Sequence, residues 1–504
     1  MSRARFWSDS AFSAFSGILL ACSFPWPDVS FLAWVALVPL LLVVARRPFW
    51  SGYVAGLAFF ATTLYWLNIV MVTYGRLHPM LSLVAYLILV AYLSLFFAFA
   101  TWLACRIRRQ IELPLPLTLP IIWVALELIR STFLTGFPWV LLGYSQHENL
   151  VLIQSADLFG VYGISGLIVL ANAVIASFLH WFVDRGKRYR QGRYALVLIL
   201  LLAVSIYYGH YRLQQDYSAG EQIRVAVVQG NIDQGLKWTP GQQAGTVEKY
   251  LRLSREAMLD KPALVVWPES ATPFYLQDAS PFQKKILDFS RATNVSLLTG
   301  SPAYENIGSG QYRYFNSAFM VSPTGTVTGR SDKIHLVPFG EYVPFGDFFP
   351  FIDKMVYGIG DFSSGEIKTL DLNGRKISVL VCYEAIFPEL TRSYVRAGSE
   401  LLLNITNDAW FGRSSAPYQH LAMARFRSIE SRRWLIRSAN TGISAFIAPS
   451  GEIVSRTDLF KDTTIAETVS FASGTTLYSR FGDVFPLLFL LISLVWLWQS
   501  RLRK

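Results

Sequence analysis

What most constrains this chain is a series of apolar runs, near residues 11–24, 31–44, 51–72, 80–105, 115–131, 160–183, 194–208 and 484–498, too many for one soluble core. A hydrocarbon layer about 30 Å thick needs about 20 apolar residues per helix. The first two runs are short by that measure, so they read as two spans or as a re-entrant pair, with the same parity either way. Arg3 and Arg5 before the first run imitate a signal peptide, yet Ser23-Phe24-Pro25-Trp26-Pro27-Asp28 offers no small-residue cleavage site. The run is therefore read as retained, giving about eight spans. Composition agrees: 53% of the 504 residues are hydrophobic and only 16% are charged.

Charge decides orientation. The formal net charge is +11, but residues 218–472 carry 26 Lys and Arg against 25 Asp and Glu, leaving 19 against 9 in the apolar remainder. The excess thus belongs to membrane topology, which argues against a nucleic-acid partner. Arg3 with Arg5, Arg46 with Arg47, the Arg106 to Arg109 group, the run from Arg185 to Arg193, and the tail with Arg501, Arg503 and Lys504 fall on one side of the predicted spans. By the excess of basic residues on cytoplasmic loops, both termini are cytoplasmic, and residues 209–480 face the opposite side. Three domains follow: 1–217 with seven spans, 218–472 extracytoplasmic, and 473–504 with the last span. Cys22, Cys105 and Cys382 have neither a disulfide framework nor metal-ligand spacing, and no metal or cofactor is expected.

The 218–472 segment alternates predicted strands at 223–229, 264–267, 295–299, 318–322, 377–381, 401–405 and 444–448 with predicted helices at 245–259, 281–292, 388–397 and 418–431. That alternation predicts α/β layers. Three strand ends carry reactive groups. Ile377, Val379, Leu380 and Val381 form a buried-type run that stops at Cys382, and Pro388 with Glu389 suits a helix first turn beyond it. Outward backbone N–H groups there would favour the thiolate. Glu269 follows the apolar run Leu264-Val265-Val266-Trp267, and Lys333 lies in Arg330-Ser331-Asp332-Lys333-Ile334-His335. A carboxylate, an amine and a thiol at three junctions are the parts of a base-assisted thiol attack on an acyl group. Each also has an ordinary reading: a packed cysteine, a helix cap, a loop charge.

Taken together, Trp267-Pro268-Glu269, Lys333-Ile334-His335-Leu336-Val337-Pro338-Phe339-Gly340-Glu341 and Val381-Cys382-Tyr383-Glu384 resemble the carbon–nitrogen hydrolase (nitrilase) superfamily. Attached to an apolar amino-terminal half, they resemble its apolipoprotein N-acyltransferase branch. The resemblance implies an α-β-β-α sandwich and a Glu269–Lys333–Cys382 triad. It also implies acyl transfer from a membrane phospholipid, through a thioester on Cys382, to the α-amine of a diacylglyceryl-cysteine on an apolipoprotein, at the bacterial inner membrane with the catalytic domain periplasmic. Glu341, Tyr383 and Glu384 are carried over as orienting the triad or holding the oxyanion, and Trp238 and Asn316 as shaping the pocket. The Phe137, Trp139 and Tyr144 loop, expected at the interface, would guide lipid. His335 is read as structural, because the resemblance gives the base role to glutamate. Glu127 and Arg130, three apart, form an intramembrane charged pair, either bracing a helix or serving function. The Phe-, Pro- and Gly-rich stretch 337–364 is a candidate lid. Two alternatives remain: a membrane-tethered amidase, and a transporter or scaffold with an inert nitrilase-like domain.

Overall fold

The computed structural model describes residues 3–184, 188–239, 241–342 and 362–502. It forms two compact units, one of Met1–Asn68, Pro79–Gln215 and Phe481–Lys504, the other of Ile69–His78 and Asp216–Arg480. Most of the candidate lid, residues 343–361, lies outside the described residues, as do Arg185 and Lys187 of the basic run.

The first unit is helical. Among the described residues, Pro79–Ile111, Leu115–Thr135, Val161–His180, Gly192–Leu213 and Val484–Leu502 are long and apolar enough to cross a bilayer, and the bent pair Pro48–Thr63 and Leu67–Tyr74 makes a sixth if counted as one span. The expected eight are not reached. Helix Arg3–Ala21 includes Arg3, Arg5 and Asp9, and the second run breaks into Ser30–Trp34 and Val38–Val43. Asn172 satisfies the backbone at that break: its Nδ2 donates to Ala33 O at 2.8 Å and its Oδ1 accepts from Leu37 N at 2.9 Å. Small residues bring helices together, since a Cβ on Gly52 would lie 2.5 Å from Phe97 O. Gly192–Leu213 and Val484–Leu502 are almost wholly exposed apolar cylinders within the unit, as lipid-facing helices must be.

Glu127 and Arg130 brace the loop that follows their helix. Glu127 accepts from Trp123 Nε1 at 3.1 Å and Leu142 N at 2.8 Å, while Arg130 donates to Trp139 O at 3.1 Å and Val140 O at 3.4 Å. The aromatic loop expected at the interface is packed inward instead. Trp139 and Tyr144 are each 1% exposed, and the Trp139 ring tilts against Trp66 with centroids 4.9 Å apart. Satisfying the buried Arg130 draws the loop backbone, and with it Trp139, into the unit.

The second unit is two six-stranded sheets. Its strands are β1 (Gln222–Gln229), β2 (Leu264–Val266), β3 (Ser296–Gly308), β4 (Gln311–Val321), β5 (Val327–Asp332), β6 (Leu370–Leu372), β7 (Arg375–Val381), β8 (Leu401–Thr406), β9 (Leu435–Ala439), β10 (Ala445–Ile447), β11 (Ile453–Arg456) and β12 (Thr463–Ser470). They run in the orders β12-β1-β2-β3-β4-β5 and β11-β10-β9-β8-β7-β6. Pairs β1–β2–β3 and β7–β8–β9 are parallel, and the edges are antiparallel. Apolar residues of both sheets, among them Val225, Val266, Val379 and Leu403, share one buried core. Helices Gln242–Ala257 and Pro281–Thr293 cover the outer face of the first sheet through Leu251, Ile286 and Phe289, and Ala416–Ser431 covers the second through Leu421. The result is the α-β-β-α sandwich.

Candidate active site

Each member of the expected triad stands one to three residues past a strand: Glu269 past β2, Lys333 directly after β5, Cys382 directly after β7. The first two come from one sheet and the third from the other, at the carboxyl ends where parallel strands present loops. Glu269 reaches its place because residue 300 on β3 is glycine. A Cβ there would lie 2.5 Å from Ser270 N, 2.6 Å from Pro268 O and 2.7 Å from Glu269 Cα.

The carboxylate of Glu269 is cradled by two donors, Asn316 Nδ2 at 2.8 Å on Oε1 and Asn407 N at 2.8 Å on Oε2. The same Asn316 amide donates to Glu341 Oε1 at 3.0 Å. Lys333, 1% exposed, grips Glu341 through both oxygens, at 2.9 and 2.8 Å, and Val337 N donates to Glu341 Oε2 at 2.8 Å. Burial pushes the Glu269 carboxyl up, Lys333 opposes and Glu341 reinforces. Burial works against the Lys333 ammonium, but Glu341, Cys382 and Glu269 outweigh it and hold the group well above an ordinary lysine.

Cys382 has φ 55°, the left-handed region that side chains avoid at a cost of about 1–2 kcal/mol. The surroundings pin it there. Glu384, fully buried, accepts from Val381 N at 2.6 Å, Ile334 N at 2.6 Å and His335 N at 3.0 Å, tying the cysteine strand end to the lysine segment. On the other side His420 Nε2 meets Cys382 O at 3.1 Å, and His420 Nδ1 meets Asp408 Oδ1 at 3.1 Å. Arg437 closes this network with 2.7 Å to Asp408 Oδ2. Burial lowers His420, and Arg437 beside it acts in the same direction. The sharp turn, a single 3-10 turn Cys382–Ile386 before helix Pro388–Arg396, does not favour thiolate as expected. Burial and then Glu269 push the Cys382 thiol up, and Lys333 only partly offsets them. The resting sulfur is a thiol that needs a base.

The remaining expectations divide. Glu341, Glu384 and Asn316 join the cluster. The Tyr383 ring packs on Phe387 with centroids 5.0 Å apart, and His335 stacks on the same Phe387 at 3.7 Å. Burial and Lys333 depress His335 to about 4, so it neither accepts a proton nor carries charge near neutrality. Trp238, 41% exposed, lines an open pocket with Gln243, Pro273, Tyr275 and Pro302; Pro302 is the β3 partner of Asn316. Trp139 belongs to the first unit, buried there. Sequence reading missed Lys237, Asn407, Asp408, His420 and Arg437. Asn407 and Asp408 directly follow the apolar strand β8, the same strand-end signal that marked Glu269 and Cys382. Among the described residues, no cluster of His, Cys, Asp and Glu forms a metal site.

Residues 16–174 match the family described as apolipoprotein N-acyltransferase N-terminal domain, and residues 224–477 the family described as carbon-nitrogen hydrolase. Among curated proteins, the apolipoprotein N-acyltransferase of Geobacter metallireducens is 48% identical over 483 residues, covering 95% of this chain and 92% of that protein. That of Nitrosomonas europaea is 33% identical over 468 residues, covering 92% and 90%. Among solved structures, an amidase from Nesterenkonia sp. is 18% identical with TM-score 0.39, covering 54% of this chain and 96% of that one.

Proposed function

This chain belongs to the apolipoprotein N-acyltransferase family of carbon–nitrogen hydrolases, and from that premise we propose how its own residues carry the transfer. The chemistry is acyl transfer in lipoprotein maturation. Glu269 takes the proton from Cys382 Sγ as the sulfur bonds the ester carbonyl carbon of a phospholipid. The carbonyl electron pair moves to oxygen, where the Lys333 ammonium and the backbone N–H of Tyr383 stabilise it. Collapse expels the glycerol oxygen, which takes the proton held by Glu269, and lysophospholipid leaves a thioester on Cys382. The α-amine of a diacylglyceryl-cysteine then attacks the thioester. Glu269 accepts the amine proton and returns it to the departing sulfur, giving an amide and the free thiol.

The observation that carries this reading is the convergence of a buried, hydrogen-bonded carboxylate, a buried, carboxylate-paired lysine and a half-buried thiol pinned at positive φ. Glu341 holds Lys333 in place and Glu384 holds the Cys382 turn. Trp238 and its pocket contact substrate. Positive-inside charge places both termini in the cytoplasm and the catalytic unit in the periplasm of the inner membrane. Both substrates are anchored in the bilayer, which accounts for catalytic and membrane units on one chain.

The test is intact mass spectrometry after exposure to phospholipid, then to a diacylated lipopeptide. One fatty acyl group should appear on the wild type, be lost to the lipopeptide, and be absent from Cys382→Ala. An adduct that persists on Cys382→Ala removes Cys382 from the mechanism, and free fatty acid in place of acylated peptide would make the protein a hydrolase that passes the acyl group to water. Labelling of an engineered cysteine in residues 218–472 by an impermeant thiol reagent from the cytoplasmic side alone would overturn the topology.

A further inference from the structure

Lys237 is a buried cation beside the base to which the acyl-transfer steps assign nothing. It ends the short turn Gln234–Lys237, is 0% exposed, and holds its Nζ 3.5 Å from the backbone carbonyl oxygen of Glu269. Burying an ammonium with so little hydrogen bonding is costly unless a charge repays it. The turn is also docked on the cradle of the base. Asn407, whose N–H donates to Glu269 Oε2 at 2.8 Å, donates its Nδ2 to Gln234 Oε1 at 2.6 Å.

The charges around Glu269 explain the placement. Among the described residues, the titratable groups that face it are Lys333 from the end of β5, Glu341 from the turn beyond, Lys237, and the thiol of Cys382 from the end of β7. Asn316 is neutral. Farther out, Asp408 faces the thiol but is matched by Arg437 at 2.7 Å. Lys333 is held by both oxygens of Glu341, so that pair is neutral as a unit. Without Lys237 the remaining charge would be a lone buried carboxylate with a second carboxylate for neighbour. Burial lowers Lys237 to about 8, with Glu269 opposing, which leaves it charged at neutral pH.

We propose that Lys237 is a positioning residue for the base, the buried positive charge that keeps Glu269 ionised beside Glu341 until it takes the thiol proton. The same charge then balances the oxyanion: as the proton moves to Glu269 and the carbonyl electron pair to oxygen, the cluster stays neutral only because Lys237 is present. The inference rests on Glu269 as base and Cys382 as nucleophile.

The experiment uses the full-length protein in detergent with phosphatidylethanolamine mixed micelles, and reads the rate of acyl adduct formation by intact mass from about pH 5 to about pH 9. Removing a neighbouring cation favours the protonated carboxyl, so in Lys237→Met the acidic limb should move to higher pH by about one to two units. Lys237→Arg, which keeps the charge, should keep the wild-type limb. Should the Met variant not fold, Lys237→Gln is read the same way. An unmoved limb in the neutral variant, or a loss of rate equal at every pH, overturns the proposal, because a merely structural lysine gives one of those results. A wild type that never gains the adduct overturns the Cys382 reading first and this inference with it.

Discussion

Replacing Glu341 with Gln removes one negative charge from the cluster and keeps the side chain's shape. Glu341 Oε1 and Glu269 Oε1 accept from the same Asn316 nitrogen, at 3.0 and 2.8 Å, so the two carboxylates are less than about 6 Å apart. At an effective dielectric constant of about 20, unit charges about 5 Å apart repel by about 3 kcal/mol, a ceiling of about two pH units. That repulsion favours protonated Glu269, so its loss lowers the carboxyl's proton affinity. Lys333, freed from its bidentate partner, acts in the same direction. The acidic limb of acyl-enzyme formation should therefore move to lower pH by about one to two units. The plateau should fall about tenfold, because Lys333 loses the bidentate partner that holds it where the oxyanion forms. Rates of adduct formation against pH, by intact mass on protein with an unchanged melting transition, measure both effects. A limb that stays put, or moves to higher pH, refutes the claim that Glu341 acts on Glu269 by charge.

Lys333→Arg keeps the charge but replaces a compact ammonium, 1% exposed and gripped by Glu341, with a planar fork; adduct formation should drop about 10²- to 10³-fold with the fold intact. Near wild-type single-turnover rates would remove Lys333 from the oxyanion. Gly300→Ala drives a Cβ into the backbone of Pro268, Glu269 and Ser270, so the Glu269 end of β2 must shift; an about 10- to 100-fold loss of rate with about 1–3 kcal/mol of destabilisation is expected. Unchanged kinetics would mean that the approach is not needed to place the base. Glu384→Ala strips the acceptor from three backbone N–H groups, two on the lysine segment and one on the cysteine strand, and should cost about 3 kcal/mol or more in thermal or denaturant unfolding. A melting temperature equal to the wild type's would show that water or another acceptor takes over.

Two of the three candidate residues, Glu269 and Cys382, stood out in the sequence because each follows an apolar strand; Lys333 follows β5, whose Val-Thr-Gly-Arg-Ser-Asp sequence announces no strand, and only the resemblance singled it out. β2 is an unbroken buried apolar run, and the last five residues of β7, 377–381, are buried with Ser378 as the one polar side chain; such runs say where the chain must leave the sheet. β9 was not legible. Leu435-Ile436-Arg437-Ser438-Ala439 carries a guanidinium in a fully buried strand, tolerated because Asp408 meets it; that pairing joins residues 29 apart, which periodicity cannot see. β12 escaped for the opposite reason: Thr463–Ser470 is a half-exposed edge strand rich in polar residues, and only its register against β1 makes it a strand. Eight membrane helices are not reached among the described residues because the amino-terminal runs are short: helix Arg3–Ala21 carries Arg3, Arg5 and Asp9, and the second run breaks between Trp34 and Val38, where Asn172 takes up the freed backbone groups. The thiol illustrates a different limit. Helix-dipole logic at a strand-to-helix junction suggested a thiolate, whereas the turn is a single 3-10 turn in a buried site with a carboxylate at hand.

If Glu341 and Lys237 act on the same carboxylate with opposite sign, removing both should return the acidic limb toward the wild-type position. Lys237→Met moves it up, Glu341→Gln moves it down, and the Glu269–Lys333 pair left in the double variant is neutral, like the four-charge cluster of the wild type. Independent shifts of equal size would cancel to within a few tenths of a unit; residues that share a partner couple, so a residual offset of up to about one unit is expected. The plateau is a separate matter. It should stay low in the double variant, because Lys333 without Glu341 is no longer held where the oxyanion forms. Acid limb and plateau therefore report different things, the charge felt by the base and the geometry of the amine. A double variant whose limb coincides with that of either single variant would mean that one of the two side chains never acted on Glu269, and the charge argument would lose that residue.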